Sequence, residues 1–407
     1  MIRSLLVRLH RWIGLTMAGF LIVVGVTGGL LAFWNELNHW LTPDIYPGPH
    51  AGVELSAATL ARRAEALVPQ GRATQVYLGY VGTAWVTMEP RDNEPPLGFD
   101  HIYLDNVSGA ELGRLQFGAP PTTLAGVMPF VYKLHYALAA GATGEWILGL
   151  VALAWTIDCF IAFYLTLPPQ KGSSRRSFFE QWKAAWRVKW RGSTYRVNFD
   201  LHRAGGLWLW AMLLVFAWSS VHFNMGSVYK SVMSAALDYP QPIPAPKPRD
   251  EGGKPLEWEE AQLVAERLMA EQARAHGFTI ERPISLYYRP GAGAYSYNVR
   301  SDRDVGDRYG STRILFDAYT GDLWTLHLPS GQHSGVTVTA WLSALHMANV
   351  FGRSYQIFVC FFGLVIVMLS VTGIYIWHKK RNARRPRTLL PAAAHLREGL
   401  EIEMRTP

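Results

Sequence analysis

The sequence predicts an α-helical integral membrane protein with four transmembrane helices and two α+β domains on one side of the bilayer, built as an internal parallel duplication. Three observations predict it. Four apolar runs, roughly Trp12–Trp34, Gly144–Leu167, Ala204–Met225 and Tyr355–Trp377, each match the about 20 residues that a helix needs to cross the hydrocarbon core. Lys and Arg crowd some of the connecting segments and spare others. The tripeptide Leu9-His10-Arg11 opens the first run, and Leu201-His202-Arg203 opens the third.

Each element follows from local chemistry. The first run is too long for a signal-peptide core, and no small-x-small cleavage site follows it before Trp34-Asn35-Glu36. Arg3, Arg8 and Arg11 precede it, nine Lys and Arg fill 168–203, and Lys379-Lys380-Arg381 begins a basic tail that continues with Arg384, Arg385 and Arg387. Short basic segments stay in the cytoplasm. Both termini and the middle loop are therefore expected inside a bacterial inner membrane, with the two long segments in the periplasm. The division is transmembrane helix 1 within 1–34, first periplasmic domain 35–143, helix 2 144–167, basic loop 168–203, helix 3 204–225, second periplasmic domain 226–354, helix 4 355–377, and tail 378–407. The net charge of +8 is explained by juxtamembrane placement, so nucleic acid is not an expected partner; the lipid bilayer is. Cys159 and Cys360 fall within apolar runs and lack zinc or iron–sulfur spacing, which makes them packing residues.

The two periplasmic segments repeat one plan. In the first, Ser56 caps a helix to Leu67, and alternating runs Gln75–Tyr80, Ala84–Glu89, Phe99–Leu104 and Glu111–Phe117 read as strands, with the turn Asp105-Asn106-Val107-Ser108-Gly109 before the last. In the second, the linker Pro240–Pro248 leads to a helix near Glu257–His276. Strands near Ile284–Arg289, Ala294–Arg300, Thr312–Phe316 and Asp322–His327 follow, with the turn Asp317-Ala318-Tyr319-Thr320-Gly321. The turn aspartate precedes a Leu-His pair by 30 residues in the first half (His135) and 29 in the second (His346), and a glycine-containing break and a span follow each.

The histidines carry the chemistry. His10, His202 and His378 fall at the inner ends of the spans, and His135, His222 and His346 at the outer ends. Neutral imidazole is an axial ligand of haem iron, and two from different helices make a six-coordinate site suited to electron transfer. A two-fold repeat sets His10 opposite His202 and His135 opposite His346, which predicts two haems, one per leaflet. Gly14 and Gly206, each four residues after its histidine, would leave room for porphyrin. Gly14, Ala18, Gly25 and Gly28/Gly29 form a small-residue stripe, which suits a cofactor face but more readily a helix-packing face. Interfacial histidines bonded to headgroups are the plain alternative. His222 and His378 have no counterpart in the repeat and stand as substitute ligands; on a straight helix His222 lies about 200° from His202. Asp158, the one acidic residue deep in an apolar run, is expected to pair with a ligand histidine or an arginine near the inner end, or to sit shallower than drawn. Trp12, Trp34, Trp40, Trp146, Trp341 and Trp377 form an aromatic belt, while Trp208, Trp210 and Trp218 pack the third span or line a haem.

An Asp-x-x-(Ser/Thr)-Gly turn closing a helix-plus-strands unit resembles the PepSY domain. With the Leu-His-Arg openers and the Leu-His before each returning span, the chain resembles the PepSY-associated transmembrane family, outside the middle loop and tail. That family includes inner-membrane ferrisiderophore reductases with two haem b groups, those acting on ferrioxamine being the nearest likeness. The resemblance implies that His10, His135, His202 and His346 are the iron ligands, that a periplasmic ferric siderophore is the electron acceptor, and that Fe(II) is released for uptake. Gly291-Ala292-Gly293 is a hairpin turn, and no stretch has a dinucleotide fingerprint, so electrons come from a cytoplasmic protein or a membrane quinol. Tyr287, Tyr288, Arg289 and Arg313 are candidates for ligand contact. Two other classes compete: a PepSY-type sensor or peptidase regulator, and a siderophore permease.

Overall fold

A computed structural model describes residues 1–79, 82–169, 177–241 and 253–383. Its first helix, α1 (Ile2–Leu31), starts ten residues before the apolar run, so His10 lies inside a helix and not at its mouth. A short α2 (Trp34–Leu41) follows. The first α+β unit is α3 (Ala57–Leu67) and strands β1 (Gly71–Tyr77), β2 (Thr83–Pro90), β3 (His101–Asp105) and β4 (Glu111–Leu115). The chain then forms α4 (Val127–Ala137), α5 (Gly141–Thr166), α6 (Phe178–Trp182), α7 (Thr194–Trp208), α8 (Trp210–Asn224) and α9 (Gly226–Met233). The second unit is α10 (Trp258–His276) with β5 (Ile280–Arg289), β6 (Ala294–Ser301), β7 (Thr312–Asp317) and β8 (Leu323–His327). Helices α11 (Ser334–His346) and α12 (Gly352–Ala383) complete the described chain.

Among the described residues, α1, α5 and α12 are long and apolar enough to cross a membrane. The third apolar run departs from expectation: α7 and α8 meet at 70° around Leu209, and they add a fourth crossing only if the bent pair counts as one span. Tryptophans flank the break and are held by different segments. Trp208 Nε1 donates to Trp186 O at 3.1 Å, and Trp210 Nε1 donates to Cys159 O at 2.9 Å. Helices α5 and α12 run antiparallel to α1: His10, early in α1, meets Asp158 late in α5, and Gly29, late in α1, meets Cys360 early in α12. Close backbone contact between α1 and α12 rests on glycine: a Cβ on Gly25 would lie 2.9 Å from Gly363 O, and one on Gly363 would clash with Gly25 O. Part of the small-residue stripe is therefore a packing face. Cys159 of α5 is buried and Cys360 half-buried, both as free thiols.

The two α+β units do not form separate sheets. They share one eight-stranded antiparallel sheet, in the order β4-β3-β2-β1-β5-β6-β7-β8. The seam is β1 against β5, with Gln75 opposite Tyr287 and Tyr77 opposite Ser285. Joining there removes two exposed edges, which as free strands would invite aggregation. Helices α3 and α10 cover one face, where Leu60, Ala64, Ala261 and Met269 bury against Val86, Ile102, Leu286 and Ile314. Both turn motifs work alike. Asp105 Oδ1 accepts from the Val107 and Ser108 amides, and Asp317 Oδ1 from those of Tyr319 and Thr320. Gly109 and Gly321 then take the left-handed backbone that ends each turn, at φ 69° and 75°.

Candidate functional site

The Leu-His motifs sit at the ends of short helices. His135 is in the last turn of α4, and the chain enters α5 through left-handed Leu138, Ala139 and Gly141. His346 is the last residue of α11, and the chain enters α12 through left-handed Ala348, Phe351 and Gly352. The two sharp reversals tuck each histidine back against the span bundle. His10 and His202 come from inside α1 and α7.

The structure brings these four residues into two pairs. The rings of His10 and His202 have centroids 6.0 Å apart, and those of His135 and His346 are 6.2 Å apart. The pairs lie at opposite ends of the bundle. His10 is 17 residues from Thr27, which touches His135, so the helical rise separates the pairs by about 25 Å.

Hydrogen bonding fixes the tautomer of every ring. His10 Nδ1 lies 2.9 and 3.0 Å from the Asp158 carboxylate oxygens, which only accept when ionised. His202 Nδ1 donates to Leu369 O at 3.0 Å, with Thr372 Oγ1 at 3.1 Å. His135 Nδ1 is 2.9 Å from Thr27 Oγ1, whose own proton goes to Val23 O. His346 Nδ1 is 2.7 Å from Ser219 Oγ, whose proton goes to Val215 O. All four rings therefore carry a proton on Nδ1, and in the neutral imidazole the lone pair is on Nε2. None of those Nε2 atoms has a hydrogen-bond partner among the described residues. An imidazole that donates through one nitrogen to a fixed acceptor while the other stays free is the arrangement of a metal ligand.

The spacing fits a shared iron. A bound imidazole nitrogen sits about 2 Å from a first-row metal and about 1.1 Å from its own ring centre, so two axial rings have centres about 6 Å apart. No cluster of three or more His, Cys, Asp or Glu able to hold a metal occurs among the described residues. Two imidazoles alone suit a metal whose other ligands come from a macrocycle. The surroundings leave space as well. A Cβ on Gly14 would meet nothing within 4 Å, and one on Gly206 only Leu369 Cδ2 at 3.9 Å. Gly28 has a different use from the one its place in the stripe suggests: a Cβ there would be 2.9 Å from His135 Cε1. Gly373 does the same for His202, at 3.3 Å.

The substitute ligands lie outside both pairs. His222 packs on Phe223 and Tyr229, at 5.1 and 4.8 Å, and lies close enough to His346 to act on it electrostatically. His378 is exposed on α12 and accepts from Asn382 Nδ2 at 2.9 Å through its own Nε2. Asp158 takes the first of its expected roles, as the partner of His10. Trp210 packs on Phe163 and Trp218 on Tyr229, so these tryptophans are packing residues. Sequence reasoning missed Thr27, Ser219, Thr372 and Gly373. A serine or threonine one helical face away from a matched histidine was the available signal.

Residues 7–380 match the family model described as the PepSY-associated TM region. The chain belongs to that family. It is thus a multi-pass membrane protein of the PepSY-associated group. A comparison with curated proteins finds no match.

Proposed function

We propose that this PepSY-associated protein is a di-haem b reductase of the bacterial inner membrane, carrying electrons from the cytoplasmic side to a periplasmic ferric siderophore. In this reading the bent α7–α8 pair is the fourth crossing, the repeated plan is a duplication, and both termini are cytoplasmic. One observation carries it: four imidazoles in two pairs, each locked with Nδ1 protonated and Nε2 free, at the spacing of two axial ligands.

His10 and His202 would hold one haem, and His135 and His346 the other. Haem held by two imidazoles supplies one-electron transfer without a change of ligand. Asp158, Leu369 O, Thr27 and Ser219 keep the rings oriented, so ligation needs no rotamer search or tautomer change. The apolar cluster between the pairs, with Met17, Leu21, Trp155, Phe216 and Phe362, keeps water out of the bundle. Each ferric ion takes one electron, supplied by a cytoplasmic protein or a membrane quinol, and the Fe(II) product is held weakly by a chelator built for Fe(III). A permease needs a polar path, and the buried carboxylates among the described residues of the crossing helices are already bonded, Asp158 to His10 and Asp200 to Arg196 and Arg203.

The test is direct. Purified protein reduced with dithionite and freed of excess reductant should reoxidise on addition of a ferric siderophore, with Fe(II) appearing on a ferrous chelator in equal amount. Reduced protein that stays reduced with every ferric chelate tried removes the reductase function.

A further inference from the structure

The shared sheet has two unlike faces. One is buried under α3 and α10. The other turns toward the membrane helices: its Tyr103 meets Tyr46, and its His101 packs on Phe117, which packs on Tyr132 of α4, three residues before His135. On this second face Arg313 of β7 is the cross-strand partner of His327 of β8 and of Asn298 of β6. Arg289 of β5 shares the face, lies over the Tyr287 ring at 5.1 Å, and is close enough to Arg313 to repel it. Tyr288 points the other way and packs on Tyr295, so it leaves the set of candidate contacts.

The arginines here are unmatched. Elsewhere in the two units Arg72 meets Glu89, Arg114 meets Glu111, and Arg300 meets Glu281. Neither Arg289 nor Arg313 has a carboxylate or hydrogen-bond partner among the described residues, and Arg289 Nε is buried. The acid that acts on His327, Asp304, is already bonded to Ser301, Ser311 and Thr312. Burial, and then Arg289, holds the Arg313 guanidinium below its usual range. Burial, and then Arg313, holds His327 down to about 4. Two half-buried guanidiniums on one sheet face, with no counter-ion among the described residues, are a poor structural arrangement and a good anion site, because each fork donates to a carboxylate or phenolate pair.

Resting on the reductase reading, we propose that this face binds the ferric chelate and that the chelate is an anion, presenting carboxylate or catecholate oxygens to Arg289 and Arg313. A ferric trihydroxamate with a free ammonium group, such as ferrioxamine, is cationic and is disfavoured here. The chelate would lie on the side of the sheet that leads through Phe117 and Tyr132 to the His135–His346 pair.

Gallium(III) complexes test this apart from reduction, since gallium(III) keeps the charge and shape of the ferric complex and takes no electron. Binding to the full-length protein in detergent would be measured by calorimetry for gallium citrate, a gallium tris-catecholate and gallium–desferrioxamine. The anionic complexes should bind, and more weakly as salt rises, while the cationic one should not. Arg289→Gln and Arg313→Gln should each weaken anionic binding about ten- to hundredfold, the loss of one charge-assisted pair, with Arg313→Lys in between. Equal binding of cationic and anionic complexes to the wild type overturns the proposal, as does undiminished anionic binding by both glutamine variants. Should anionic gallium bind as described while the ferric counterpart is never reduced, the binding face stands and the reductase reading falls.

Discussion

Gly28→Ala should loosen one haem and spare the other. The added Cβ would stand 2.9 Å from His135 Cε1, where carbon atoms prefer about 3.5–4.0 Å. The ring must retreat by roughly 0.5–1 Å, beyond the about 0.5 Å that a ligand constellation tolerates. Helix α1 cannot give way instead, because Gly25 and Gly29 press against α12 at Gly363 and Cys360. Overpacking of this kind costs about 1–3 kcal/mol. That converts to about five- to 150-fold weaker haem binding at the His135–His346 pair. Gly373→Ala repeats the experiment at the other pair with a milder clash, 3.3 Å from His202 Cε1, and should give a smaller loss there. Gly19→Ala is the control: nothing lies within 4 Å, and alanine favours the helix by up to about 1 kcal/mol. The assay is haem retained per chain against excess apomyoglobin, followed by absorbance. If Gly28→Ala and Gly19→Ala both keep haem as the wild type does, His135 is not a ligand in the orientation described.

Asp158→Asn keeps an acceptor for His10 Nδ1–H but removes a negative charge that favours ferric over ferrous iron. The midpoint of the His10–His202 site should rise in a spectroelectrochemical titration while the other stays fixed; two unchanged midpoints would show that the carboxylate does not tune it. Ser219→Ala strands a buried donor on His346 at about 1–3 kcal/mol, so haem loss from that pair should quicken and Ser219→Thr should restore it. His327 is held at about 4 against an unfolded value near 6.5, so the unfolded chain takes up a proton first as pH falls. Thermal stability should therefore drop between those values by about 1–2 kcal/mol, allowing for partial exposure, and His327→Gln should flatten the drop. Identical pH profiles for the two proteins would rule out that contribution.

Much of this was legible because the signals were local or repeated. Alternation located the eight strands, and Ser56 and Glu257 marked two helix starts. The Asp-x-x-(Ser/Thr)-Gly turns announced themselves through side chains that bond their own backbone. The histidines could be paired because the same dipeptide recurs at matched positions. Other features depend on contacts far apart in sequence. Joining the two units through β1 and β5 requires edge strands some two hundred residues apart, and nothing in either strand names its partner. The break at Leu209 has no proline, and Gly205-Gly206, the obvious weak point, lies inside α7. Thr27 and Ser219 looked ordinary because hydroxyls in apolar helices usually satisfy themselves by bonding back one turn. These two do so and still accept from a histidine.

The measurement nearest the centre of the account is the ratio of haem to protein in the wild type and in the four histidine variants. Two low-spin haems per wild-type chain are expected. One should remain after His10→Ala or His202→Ala, and the spectroscopically distinct other after His135→Ala or His346→Ala. A colourless wild type from haem-replete cells, or folded variants that all keep the wild-type ratio, would contradict the assignment of these imidazoles to iron.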